Sequence, residues 1–160
     1  MALETAGEIT VAVDRVTAFA VVSDPARLAR CIPGCQDLRE LAPDRYTAVL
    51  TSRVAFMTLS FKVTIDVVRV VPQTTIEARI TGDAVGLSGR VVATASVHLA
   101  DAADRRTTIR YSTAIGLTGK LGGLGQPVFR ATSAKMAREF GENLKAEIER
   151  GQADQTEHSA

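Results

Sequence analysis

The sequence contains no tryptophan, and aromatic residues of all kinds make up only 4% of its 160 positions. A core built without large rings must be lined by short, smooth side chains, here drawn largely from 24 Ala and 17 Val, and such an interior holds few groups able to do chemistry. Cysteine is nearly as scarce. Cys31 and Cys35 alone make no disulfide framework, and a C-x-x-x-C broken by Pro33-Gly34 is not the C-x-x-C of a thioredoxin-like site. Only His98 and His158 could join them as ligands, so no metal centre is expected and the two thiols read as packing. Neither sign of charge dominates: 19 Lys and Arg against 18 Asp and Glu leave +1, which argues against nucleic acid as a partner. No apolar run approaches the roughly 20 residues of a membrane-spanning helix, and the start MALETAGEIT lacks the basic stretch and apolar centre of a signal peptide. A cytoplasmic location with reduced thiols is the default expectation.

What is present fits one domain of ordinary composition, 46% hydrophobic and 23% charged in 17.0 kDa. Residues 8–13 (EITVAV) alternate as a half-buried strand. From Arg15 the spacing turns helical and is interrupted at Ser23-Asp24-Pro25, where Ser23 or Asp24 caps a second short helix and Pro25 fits its first turn. Pro33-Gly34 stops that helix. Six alternating segments follow, at residues 35–41, 45–56, 58–70, 74–81, 88–99 and 105–117, divided by turn signals that include residues 82–86. Their inward sides carry Phe56, Phe61, Val63, Ile65, Ile80, Val91, Tyr111 and Ile115. The last element is a long helix over residues 124–150 with Val128, Thr132, Met136, Phe140, Leu144 and Ile148 spaced four apart, ended by Gly151 and followed by a disordered polar tail, residues 152–160. The expected fold class is α+β: a curved antiparallel sheet of about seven strands wrapped around a long C-terminal helix, with two short helices after the first strand. Residues 1–151 form the single domain. An incompletely filled space between such a sheet and its helix would suit an apolar ligand.

Several motifs invite sharper readings. Residues 116–125 lie between a strand and a helix like a phosphate loop, but Gly119-Lys120 is followed by Leu121 where a Walker loop needs Ser or Thr. Gly119, Gly122, Gly123 and Gly125 are better read as a flexible gate that lets the helix swing over the cavity. Asp14, Asp24, Asp66, Glu77 and Asp83 are the acid–base candidates, yet alternation turns Asp66 and Glu77 outward and Asp24 serves as a cap. His98 falls on the outward side with Arg90 and Ser96. Tyr111, with Thr113 beside it, is the best inward polar group, placed to orient a carbonyl or to lie in the core with its hydroxyl at the sheet edge. No catalytic residue is assigned.

The order of elements resembles the helix-grip fold of the START and polyketide-cyclase-like (SRPBCC) superfamily. Phe19 and Ser23-Asp24-Pro25 ahead of LARCIPGCQDL (residues 28–38), then GLTGKLGGLGQPV (residues 116–128) before a helix containing FGENL (residues 140–144), are similar to the CoxG family associated with carbon monoxide dehydrogenase. That resemblance implies an accessory protein of a molybdenum-containing CO dehydrogenase or related hydroxylase, without a cofactor of its own. It also implies an apolar partner, quinone-like or acyl-like, and peripheral contact with the inner face of the cytoplasmic membrane. Some members end in a membrane anchor; here the polar tail places any membrane contact on a surface, a ligand or another protein. The ligand pocket expected on this basis joins the eight inward strand residues to Met136, Phe140 and Leu144. A small cyclase or hydratase using the same cavity, and a purely structural assembly factor, are the alternatives.

Overall fold

The computed structural model describes residues 2–54, 56–123 and 125–159, and the elements given below are those of these residues. Strand β1 (Ala2–Val11) leads into helices α1 (Arg15–Val22) and α2 (Pro25–Cys31). Strands β2 (Cys35–Ala42), β3 (Arg45–Val54), β4 (Met57–Val71), β5 (Thr75–Ala84), β6 (Arg90–Ala102) and β7 (Arg106–Leu117) follow, then a short helix α3 (Gly119–Gly122) and the long helix α4 (Gln126–Ser159). The strands form one antiparallel sheet in the order β1-β7-β6-β5-β4-β3-β2. This is the α+β helix-grip fold that the alternation predicts.

Local chemistry explains the breaks. Asp14 caps α1 by accepting from the Thr17 amide at 2.8 Å, which also draws its carboxyl below the usual range. Asp24 caps α2 by accepting from Ala26 and Arg27, with Pro25 just inside the helix. Four boundaries differ from the sequence reading. Strand β1 begins at Ala2 rather than Glu8, because Leu3, Thr5 and Gly7 continue its inward row against β7 although two of them are not apolar. Gly82 is not in a turn: it sits inside β5 opposite Val63, whose side chain approaches so closely that a Cβ there would be 2.7 Å from Val63 Cγ1. Helix α4 starts at Gln126, with Pro127 in its first turn, rather than at Leu124, which lies outside the described residues. It also passes through Gly151 to Ser159 instead of stopping there; one glycine costs about 1 kcal/mol relative to alanine in a helix, too little to end one already many turns long.

Helix α4 runs parallel to β1 along that strand's free edge. Gln126 Nε2 donates to the Ala2 carbonyl at 3.3 Å at one end, and the Ala12 amide donates to Glu149 Oε2 at 3.1 Å at the other. Halfway along, Ser52 of β3 donates to Met136 Sδ at 3.6 Å, so the helix also reaches the opposite flank of the curved sheet. Strands β7, β6, β5 and β4 form the wall between.

Candidate functional site

Inward side chains do not merge into one core. A first cluster gathers at the α1–α2 end, around Val11, Val22, Leu99, Ile109, Leu144 and Ile148, all at most 1% exposed. A second gathers at the end where α4 begins, around Leu3, Val54, Phe61, Leu117, Leu121 and Phe129. Between them the register aligns Thr5, Thr113, Ala95, Ala78 and Val67 in one row across five strands. None of these belongs to either cluster, and each keeps part of its surface accessible although it faces the helix side. Short side chains under a long helix leave room there, and accessible area on an inward face is the mark of that room.

Tyr111 fixes how close the helix can come. Its hydroxyl donates to the Ala137 carbonyl at 2.9 Å, and its ring meets Phe140 edge to face with centroids 5.0 Å apart. The phenol lies in a slot formed by Gly7 on β1 and Gly141 on α4; a Cβ at either glycine would fall on the Tyr111 hydroxyl. Burial, with Glu142 adding to it, raises the phenol's pKa. The hydroxyl's proton is therefore committed to the helix and does not reach out to orient a ligand, which corrects the stronger reading of this residue.

The other expected pocket residues divide. Ile65, Ile80, Val91 and Ile115 stand part-exposed at the edge of the second cluster, and Met136 and Phe140 are part-exposed on the helix above. Phe61 and Val63 are packed into the second cluster, and Leu144 is 0% exposed in the first, so these three are solid core rather than wall. Phe56 is 87% exposed: the strand ends at Val54, which pairs with Met57, and places Phe56 on the turn between them. Of the gate glycines, Gly119 and Gly125 hold φ of +69° and +102°, conformations that other residues adopt only under strain, and Gly123 caps α3. Thr5 and Phe129 are not readable from the sequence as site or core residues, Thr5 because it lies in a polar start and Phe129 because it sits one position off the four-residue stripe.

A groove of about 410 Å³ opens between β1 and α4, with Thr5, Gly7, Tyr111, Ala134 and Ala137 inside and Glu4, Glu8, Arg130 and Arg138 at its lips. On the face of the sheet away from α4 lies a second, open trough of about 550 Å³, bounded by Glu4, Glu77, Arg79 and short Ser, Thr and Ala side chains. His98 is exposed and 3.0 Å from Thr75 Oγ1, while Asp66 pairs with Arg45 and Glu77 with Arg69. Cys31 is buried, its thiol donating to the Arg27 carbonyl; burial, then Glu147, pushes its pKa up to about 11. Cys35 is raised by burial as well, and such thiols are poor nucleophiles. Among the described residues no group of His, Cys, Asp and Glu could hold a metal ion, and no helix is long and apolar enough to cross a membrane.

Known structures share this architecture. A conserved protein from Geobacillus kaustophilus superposes with a TM-score of 0.81 at 23% identity, over 91% of this chain and 95% of that one. Zhui aromatase/cyclase from Streptomyces sp. R1128 gives 0.69 at 15% identity, over 94% and 95%. A START superfamily protein from Mycobacterium smegmatis gives 0.68 at 10%, over 92% and 97%. At these identities the likeness is one of fold. No curated protein matches the sequence. The family model for the carbon monoxide dehydrogenase protein CoxG matches residues 7–149, and on that span the chain belongs to the CoxG family.

Proposed function

We propose that residues 1–151 act as a non-catalytic carrier: they bind an apolar small molecule, quinone-like or acyl-like, between the sheet and α4, in the service of a molybdenum-containing CO dehydrogenase or related hydroxylase. The observation that carries this reading is the division of the core, which leaves the row from Thr5 to Val67 without packing partners beneath a helix held at both ends. Membership of the family supports the partner enzyme. The glycine-rich stretch around Gly119, Gly122, Gly123 and Gly125 serves as the gate, with Ile65, Ile80, Val91, Ile115, Met136 and Phe140 around the ligand.

The same end of the molecule is the face that meets the membrane. Residues 51–60, 84–92 and 117–130, which bring the β3–β4, β5–β6 and β7–α4 connections together there, contain Arg53, Arg90, Lys120 and Arg130 and no Asp or Glu. Phe56 and Val85, 87% and 52% exposed, project among them. Exposed apolar tips within a ring of cations suit an anionic lipid surface.

A cyclase-type enzyme on this fold is the rival. It needs ionisable groups converging on the substrate, and along the inward rows of the seven strands only Tyr46 and Tyr111 titrate. Organic extraction of the purified chain, followed by mass spectrometry and titration with added quinones and acyl compounds, tests the reading. A bound lipid-soluble compound in stoichiometric amount is expected; recovery of none, with no uptake of any added compound, would overturn it in favour of a scaffolding role.

A further inference from the structure

The row that crosses the unfilled middle contains two polar side chains, and they touch. Thr5 Oγ1 and Thr113 Oγ1 are 2.6 Å apart, on neighbouring strands and on the face turned to α4. One hydroxyl hydrogen bridges the pair. The other has no further partner among the described residues, because neither threonine makes a second side-chain hydrogen bond. Valine has the same shape and is at least as well suited to a strand, so packing alone gives no reason for a hydroxyl at either position. Three other hydroxyl pairs lie elsewhere. Thr10 with Thr108, Thr51 with Ser60 and Ser96 with Ser112 all fall on the opposite parity of their strands, the face turned away from α4.

The surroundings define what such a donor can receive. Ala95 and Ala78 continue the row beside it, and the part-exposed Ile115 and Ile80 flank it on one side. Tyr111, the next polar group inward, spends its proton on Ala137. No Lys or Arg occurs on the inward rows of the strands, and the nearest arginines along the helix, Arg130 and Arg138, stand exposed at the lips of the groove. A buried carboxylate would therefore lack a counter-charge, whereas a neutral carbonyl oxygen needs only the one hydrogen on offer.

We infer that the Thr5–Thr113 hydroxyl pair is the polar subsite of the cavity and that it accepts the neutral carbonyl oxygen of a ligand whose apolar body lies along Ala95 and Ala78. This rests on the proposed carrier function and narrows it, selecting ketone-type or quinone-type molecules over free fatty acids and plain hydrocarbons. The groove between β1 and α4 that reaches Thr5 gives such a head group a lateral way in.

The test uses the full chain freed of lipid, with 2-tridecanone, tridecane and tridecanoate competing against a fluorescent apolar probe. The wild type is expected to hold the ketone roughly fivefold more tightly than the alkane, the yield of one neutral hydrogen bond, and the carboxylate most weakly. In the Thr5→Val/Thr113→Val double variant the alkane should bind as before while the ketone loses its advantage. The Thr5→Ser/Thr113→Ser variant keeps both hydroxyls and should restore it, with thermal melts confirming that both variants fold. If the valine variant retains the full ketone preference, the subsite is wrong and the hydroxyls hold water only, while the carrier function stands. If none of the three compounds displaces the probe from the wild type, the carrier function fails and the subsite with it.

Discussion

Tyr111 occupies a position where three chain segments must agree to within a fraction of an ångström. Its ring needs Gly7 and Gly141 to lack side chains, and its hydroxyl needs Ala137 at hydrogen-bond distance. Gly141→Ala should cost about 2 kcal/mol by overpacking, since the new methyl competes with the phenol oxygen. Tyr111→Phe should cost about 1 kcal/mol, the value of a lost hydrogen bond. Combined, the two should cost clearly less than their sum, because phenylalanine vacates the space the methyl needs; denaturant melts of the four proteins measure it, and strict additivity would contradict the slot. Alternation alone reveals that Tyr111 faces inward, since period two assigns a side. It cannot reveal which atom the hydroxyl meets, which depends on how far a helix 26 residues away lies from the sheet. Phe56 departs from expectation for a related reason: parity holds only as far as Val54, and two residues later the chain has already turned.

At the level of elements, the β3–β4 connection reaches the limit of shortness for a hairpin, since Val54 pairs directly with Met57 and leaves two residues to turn the chain. Val54 is 1% exposed and anchors the base in the second cluster while Phe56 points outward. The side chain at the tip is thus free of folding duty. Phe56→Ser should leave the melting temperature unchanged and reduce co-sedimentation with anionic vesicles roughly tenfold, as expected for withdrawing one aromatic ring from an apolar phase. Equal binding by the variant would remove this hairpin from the membrane contact. The strands are the most readable elements because half of each is buried and half wet, which leaves a two-residue rhythm in the sequence. Beginnings and ends are less so. Leu3 to Gly7 carry that rhythm in threonine and glycine, and Gly82 looks like punctuation although it is a packing slot against Val63. Helix α4 shows its length through its four-residue stripe, but the turn at Gly123 and the fresh start at Gln126 leave no periodic trace.

Across the whole molecule, the buried Cys31 makes stability depend on alkaline pH. Its thiol titrates near 11 when folded against an ordinary 9.0, so the folded state holds the proton more tightly. The two states bind it equally below pH 9; above that the unfolded chain releases it first, and stability falls until the folded thiol also ionises. Between about pH 8 and 10.5 the wild type should lose about 2 kcal/mol more than a Cys31→Ala variant, read from urea melts at each pH. An equal loss in both would show that Cys31 ionises freely in the fold. The thiol's burial at the junction of α2 and α4 is not legible in the sequence, which places Cys31 only at the end of a short helix before Pro33-Gly34.

The tethers of Gln126 to Ala2 and of Glu149 to Ala12 have a mechanical consequence. A rod clamped near both ends deflects most at its centre, and the centre here is the stretch from Arg130 to Arg138, above Thr5 and Gly7. Cargo slipping in sideways would need only a bow in that span, with neither clamp released and no turn of the helix unwound.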